Sequence, residues 1–511
     1  MQKINKTILK SFGTSLFFIV PCMNFDCQAQ NAWTRSTKGI EYNISIESSN
    51  AHGKNPLWLT ANRYGLSSVE KNNGLMQVGI ERNSLRDSLH NWKIGYVADI
   101  AIGYNHTSTA IIHQMAANID WKMLSLSIGA KEEPMAMKNM ELSSGGQTFG
   151  INARPVPQFK FGIPEYVCIT GKKRPWAAIR GFISYGMMTD SKFQRDYVAE
   201  NQRYTRRVLY HAKAGYLRLG NAAKFPFTFE GGLEIATQFG GTVYNFDLGF
   251  GKLSSPIHLG HSIKDMIKAT LGTGSDPLDG VYANSSGNTL GSWLFKLNYE
   301  SKTWGASVYY DHYFEDHSQL FMEYGWLDGL IGVELNLPKN PIVSNAVYEF
   351  IKTTYQSGPL YHDHTDAIPD QISGNDKYYN HALFGGWQHW GQALGNPLYT
   401  SPLYNPNGKL DFMFNRFKAH HVGINGNPIK GLHYRLLYSF ERTWGTYDDP
   451  LEHSITNHSM LIEANYSPLK IGNLNTEGWN LGLSFALDHG QLLGNNTGFL
   501  FKISKTGLLT H

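Results

Sequence analysis

Residues 92–104 read WKIGYVADIAIGY. Trp92, Ile94, Tyr96, Ala98, Ile100, Ile102 and Tyr104 fall on one side of a period of two, and Lys93, Gly95, Val97, Asp99 and Gly103 on the other. Strict alternation of this kind marks a strand with one apolar and one polar face. The run exceeds the usual strand of a soluble sheet and matches a tilted strand that crosses a bilayer. Trp92 and Tyr104 sit at the two ends of its apolar face, where a membrane–water interface favours aromatics.

The pattern recurs along the chain. Phe225, Phe227, Phe229, Leu233, Ile235 and Phe239 oppose Thr228, Glu230, Glu234 and Gln238; Leu432, Tyr434, Leu436, Tyr438 and Phe440 oppose His433, Arg435, Ser439 and Glu441. Eighteen such runs are assigned, at 40–47, 75–82, 92–104, 115–122, 124–130, 147–160, 176–187, 208–219, 225–239, 290–300, 303–313, 331–337, 342–355, 411–424, 432–443, 458–467, 478–488 and 497–505. Several connectors after even-numbered runs are very short, such as Ser301-Lys302, and others are modest, such as 425–431. The longest, 240–289 and 356–410, follow odd-numbered runs. Bacterial membrane barrels have short periplasmic turns and long extracellular loops, so both long connectors are expected on the outside. The first carries a short helical pattern, Ser262 to Leu271.

Composition agrees. Charged residues make up 17%, aromatics 13%, and there are 52 Gly, and no later segment approaches the ~20 apolar residues of a membrane helix. Lys3, Lys6 and Lys10 precede an apolar run, Phe12 to Met23, and small residues before Gln30. This predicts a secretory signal peptide at 1–29 and a single barrel domain at 30–511. Cys22 and Cys27 would leave with the leader, so Cys168 remains alone and no intrachain disulfide forms. The formal charge is +4 and falls to about +2 without the leader, which gives no footprint for nucleic acid. The fold class predicted is all-β, a transmembrane antiparallel barrel of about eighteen strands in a bacterial outer membrane.

Glu41, Glu47, Lys213, Glu230, Glu234, His433, Arg435, Glu441 and Glu463 are assigned to the lumen, where they solvate a wet interior or form a binding surface. The segment 361–381, YHDHTDAIPDQISGNDKYYNH, holds His and Asp residues but no defined ligand spacing, so neither a metal nor a cofactor is assigned. No nucleophile elbow, Walker loop or Cys-x-x-Cys pair is present, and no catalytic residue is assigned. The candidate ligand-binding residues lie in GGWQHWGQALGNPLYTSPLYNPNG, 385–408: Trp387, Gln388, His389, Trp390, Tyr399, Tyr404 and Asn405. Flat rings beside amides suit a sugar, whose C–H face is apolar and whose hydroxyls need partners. The same rings could instead fold the loop onto itself or into the lumen.

Several segments carry a resemblance to a known family: PLWLTANRYG (56–65), LSLSIGAKEEP (124–134), SSGGQTFGINARPVPQFKFGIPEY (143–166), FISYGMM (182–188) and YYNHALFGGWQHWGQALGNPLY (378–399). In order and spacing the chain resembles the Wzi family of outer-membrane capsule-assembly proteins. The resemblance implies an eighteen-stranded barrel with extracellular loops plugging the pore. It implies a lectin-like, non-enzymatic surface protein that assists capsule attachment, with capsular polysaccharide and outer-membrane lipid as partners; a monomer is expected. Members can carry a periplasmic helical bundle; little helical period is seen here before residue 75. Two other readings stand beside it: a passive or sugar-selective porin, and, more remotely, a hydrolase using the His/Asp segment.

Overall fold

The computed structural model describes residues 37–84, 91–171, 175–273, 287–315, 327–358, 374–375 and 377–510. The expected leader at 1–29 lies outside them.

Eighteen strands form one antiparallel sheet. They are β1 (Glu41–His52), β2 (Asn72–Arg82), β3 (Trp92–Tyr104), β4 (Ala110–Trp121), β5 (Leu124–Ala130), β6 (Gln158–Cys168), β7 (Ala177–Met187), β8 (Leu209–Leu219), β9 (Phe227–Phe239), β10 (Asn288–Glu300), β11 (Gly305–Phe314), β12 (Gly329–Asn336), β13 (Asn345–Lys352), β14 (Phe417–Ile429), β15 (Leu432–Gly445), β16 (Pro450–Tyr466), β17 (Trp479–Gly490) and β18 (Asn496–Leu508). Each pairs with its neighbours in sequence. β18 returns to β1, with Leu508 opposite Glu41 and Thr497 opposite His52. Closure leaves the sheet no unpaired edge.

Alternation sorts the side chains between two environments. In β3, Gly95, Val97, Asp99, Ala101 and Gly103 are buried, while Ile100 and Ile102 stand 53% and 64% exposed on the outside. Ile112, Ile128, Leu483 and Phe499 are similarly bare. In water each Å² of such surface costs about 25 cal/mol, and apolar patches beyond a few hundred Å² mark an interface. Here the apolar surface runs around a closed wall. Below it lie aromatic pairs at the short-turn end: Trp92–Trp121 at 6.2 Å, Phe227–Tyr299 at 5.1 Å and Tyr299–Trp304 at 4.9 Å between ring centroids. A lipid-facing belt with an aromatic girdle is what a membrane barrel requires. No described helix is long and apolar enough to cross a membrane; the strands do so. The chain is a transmembrane β-barrel of the bacterial outer membrane.

Two expectations need correction. The sixth run was placed at 147–160, but β6 is Gln158–Cys168 and residues 143–157 turn into the lumen. That stretch is Gly- and Pro-rich, and its glycines are needed for close approach: a Cβ on Gly150 would lie 2.4 Å from the Gly395 carbonyl oxygen. Second, Lys213 does not line the lumen. It pairs with Ile183 on the outer face of β8, and its ammonium donates to the Thr270 carbonyl. The helix that supplies Thr270, Ile263–Leu271, starts where predicted, with a capping box between Ser262 and Asp265, and it lies against the outer wall at β8 and β9. The longest connector, 353–416, starts at the extracellular rim, as expected, and its described residues 377–416 fill the barrel as the expected plug.

The hydrophobic core is therefore inside the lumen. Inward residues of the wall (Tyr210, Leu290, Tyr313, Ile351, Ala419, Leu461) pack on Leu57, Trp58, Leu142, Tyr379, Phe384, Trp387, Tyr399 and Phe412 from the connectors.

Candidate binding site in the plugged lumen

Four connectors supply the plug: 53–71, 131–157, 188–208 and, from the longest, the described residues 377–416. The first two are tied to the wall by polar groups that the alternation pattern turns inward. Asp488 of β17 accepts the Leu57 N–H at 3.1 Å, and Glu47 of β1 pairs with Arg63 at 2.6 Å. Asp311 of β11 pairs with Lys138 at 3.2 Å. Glu349 of β13 is fully buried and accepts from the Ser143 hydroxyl (2.6 Å), the Ser144 N–H (2.7 Å), the Ser144 hydroxyl (2.5 Å) and the Tyr309 hydroxyl (2.6 Å). His421 of β14 bonds the Leu142 carbonyl through Nε2 at 2.8 Å. A carbonyl only accepts, so Nε2 carries the proton and Nδ1 accepts from Ser439 at 2.7 Å. The polar inner face is thus largely a set of plug receptors rather than a wet lining.

Inside the plug the connectors interlock. Tyr379 stacks on Tyr399 with centroids 3.8 Å apart, and Phe412 and Phe417 meet this pair edge-on. The Tyr379 hydroxyl accepts from the Asn396 N–H at 2.9 Å and donates to the Gln147 carbonyl. Trp387 Nε1 donates to the Thr148 carbonyl at 3.0 Å, and the ring stacks on Tyr210 of β8 at 6.0 Å.

The seven residues singled out in the sequence now have places. Trp387, Gln388, His389 and Tyr399 are 0% exposed. They hold the plug together, and no molecule outside reaches them while the plug is seated. His389 Nε2 accepts the Thr189 N–H at 3.1 Å, so Nδ1 donates to the Arg154 carbonyl at 2.9 Å. Burial keeps this imidazole below its ordinary pKa. Asn405 is buried and spends its amide on the Lys409 and Asp411 carbonyls. Tyr404 bonds Thr60 Oγ1 at 2.6 Å under the Lys54 ammonium, which stands 5.6 Å from its ring.

Trp390 differs. Its ring is partly open, with the Arg154 guanidinium 4.3 Å from the ring centroid and Phe193 at 5.7 Å. Its backbone is left-handed, φ +57°, a conformation that costs a residue with a Cβ roughly 1–2 kcal/mol. Two bonds hold it there. Asp190 accepts the Trp390 N–H at 3.2 Å, and Thr189 Oγ1 accepts Nε1–H at 3.1 Å. Strain of this kind gathers at functional sites. Arg154, Thr189, Asp190 and Phe193 were not singled out from the sequence. Each lies far from the aromatic loop in the chain, and only closure of the plug brings them to it.

Asp190 also accepts from Gln388 Nε2 and Gln194 Nε2 at 3.3 and 3.1 Å. An Asp190→Ala barrel is expected to lose about 1–3 kcal/mol locally, read as protease cleavage near 387–393 that the wild type resists.

Beneath the plug the lumen stays open toward the periplasmic end. One cavity of about 1040 Å³ is lined by Glu47, Arg63, Gln77, Glu132 and Lys502 and reaches the rim at Glu41 and Lys505. A second of about 430 Å³ runs up to Phe149, Arg180, Tyr216 and Glu234, backed by Trp387. Among the described residues no group of three or more His, Cys, Asp or Glu side chains is placed to hold a metal ion; most of the 361–381 segment, including His362, Asp363, His364, Asp366, Asp370 and Asp376, lies outside them.

A closed eighteen-stranded wall, an apolar belt and an occluded lumen define the class: a plugged outer-membrane β-barrel. Among solved structures the chain is similar to Wzi of Escherichia coli, described as a carbohydrate-binding β-barrel involved in group 1 capsule assembly. The TM-score is 0.52 at 12% identity, over 93% of this chain and 86% of that one. Two Pseudomonas aeruginosa barrels, OccK10 (TM-score 0.45, 9% identity, 92% and 99% covered) and OccK5 (0.46, 6%, 93% and 99%), also align. At 12% identity the likeness to Wzi shows the fold alone. No protein-family model and no curated protein sequence matches the chain.

Proposed function

We propose that this barrel binds surface polysaccharide at the extracellular mouth of its plug and assists capsule attachment and assembly there, as a monomer and without catalysis. The observation that carries the reading is Trp390: a partly open indole, held in a strained backbone and braced by Arg154, on a plug whose rings Tyr379, Trp387, Tyr399 and Phe412 are sealed. A sugar ring lays its C–H face on an indole and gives its hydroxyls to neighbouring donors and acceptors. Of the seven residues first considered, Trp390 and Tyr404 keep open surface for contact; the other five support them from below. The fold likeness to a carbohydrate-binding barrel is consistent with this.

The test is retention of capsular polysaccharide by purified protein. Trp390→Ala is expected to weaken binding by about 1.5 kcal/mol, roughly tenfold, with the melting behaviour of the barrel unchanged. Equal retention by both proteins removes Trp390 from the function. The cavity of about 1040 Å³ beneath the plug favours a second reading, a gated sugar porin; sustained single-channel conductance would support it.

A further inference from the structure

The outer wall carries a row of cations at its extracellular end. Lys352 of β13 is in register with Lys418 of β14, and Lys418 with Arg442 of β15. Their alternation puts all three on the lipid side, two residues above Phe350, His420 and Phe440. Arg416 extends the group, opposite Trp444. Side chains facing each other across strands stand about 5 Å apart, and like charges so placed repel. Among the described residues no carboxylate lies within ion-pair distance of any of the four. Asp448, in the turn above, is taken by Lys377. Asp328, whose charge Lys352 senses, is buried and bonded to the Tyr355 and Gln356 N–H groups.

Aromatic rings hold the cations apart. Arg442 and Lys418 lie 5.4 and 5.9 Å from the Trp444 ring, and Arg416 lies 4.6 Å from Tyr447. Between them is a groove of about 210 Å³ lined by Thr354, Arg416, Lys418, Trp444 and Tyr447. Below the row the surface turns apolar, through Phe350–His420 and Phe440–His458 ring contacts at 5.0 and 4.9 Å to Leu436 and Ile462. The nine residues from Tyr434 to Arg442 are the length a tilted strand needs to cross a bilayer, so the row stands at the height of the outer-leaflet headgroups.

We propose that this row is a binding site for a phosphorylated glycolipid of the outer leaflet, with phosphate on Lys352, Lys418, Arg416 and Arg442 and acyl chains on the apolar surface beneath. Phosphate supplies the missing counter-charge, and guanidinium and ammonium groups are its usual partners. A soluble acidic polysaccharide would match the charge but leave the apolar surface below uncovered.

The test is native mass spectrometry of the full-length barrel, delipidated in detergent and offered a bis-phosphorylated disaccharide glycolipid or the same lipid stripped of phosphate. The wild type should retain the phosphorylated form and lose the stripped one. Lys352→Gln/Lys418→Gln/Arg442→Gln should retain it more weakly by about fivefold per cation, on the order of 100-fold in all. The wild-type comparison of the two lipids needs no variant, so a misfolded triple mutant does not spare the proposal. Equal retention of both lipids overturns it. So does equal competition by inorganic phosphate or by an acidic polysaccharide free of lipid.

Discussion

A Glu349→Ala barrel is expected to lose the seating of the 131–157 connector. The carboxylate is 0% exposed and takes four donors, from Ser143, Ser144 twice and Tyr309. Deleting it strands those donors in a dry interior at about 1–3 kcal/mol apiece, so a loss on the order of 5 kcal/mol is expected even with partial relaxation. Melting of the purified barrel in detergent should shift strongly downward, and the segment around Leu142 should become cleavable. Glu349→Gln keeps the shape and two lone pairs, and should fall between. A melting curve of Glu349→Ala that overlays the wild type would mean the plug is not held there.

The second large effect is expected at Tyr379. Its ring stacks on Tyr399, meets Tyr313 and Phe412 edge-on, and is fully buried. Its hydroxyl joins Gln147 to Asn396 and so ties two connectors. Tyr379→Ala removes both, at about 3–5 kcal/mol for the ring alone. The vacated space lies within the aromatic stack that fills the lumen, so the variant should show flickering channel openings as well as a lower melting point. Tyr379→Phe leaves the ring and costs only the hydroxyl's bonds, about 1–2 kcal/mol. It should melt slightly early and remain closed. If the two variants behave alike, the aromatic stack is not what seals the lumen.

Most of the wall was legible because one physical rule writes it. Lipid outside and packed polar groups inside impose a period of two, and β3, β9 and β15 follow the faces read from their sequences. Where the rule has a second solution, the reading failed. Lys213 looked like a lumenal cation because lysine does not face lipid; the helix Ile263–Leu271 covers it and takes its proton donors. Residues 147–157 alternate weakly, and Gly150 serves close backbone packing rather than a strand.

The site was less legible for a related reason. Aromatic richness in 385–408 set this loop apart from the other connectors but could not say which rings are core. Trp387 and Tyr399 are core because they meet other buried rings: Tyr210 for Trp387, and Tyr313, Tyr379 and Phe417 for Tyr399. Trp390 sits three residues along on a left-handed turn and points the other way. Its partners come from connectors distant in sequence, and no local pattern announces them.

Single-channel recording of the intact barrel in a planar bilayer tests the central claim most directly. A lumen sealed by the stack of Tyr379, Tyr399, Phe412 and Trp387 predicts a silent protein, with or without added polysaccharide. A stable, large open level in the wild type would contradict the sealed plug, and with it the view that this barrel binds at its mouth rather than conducts.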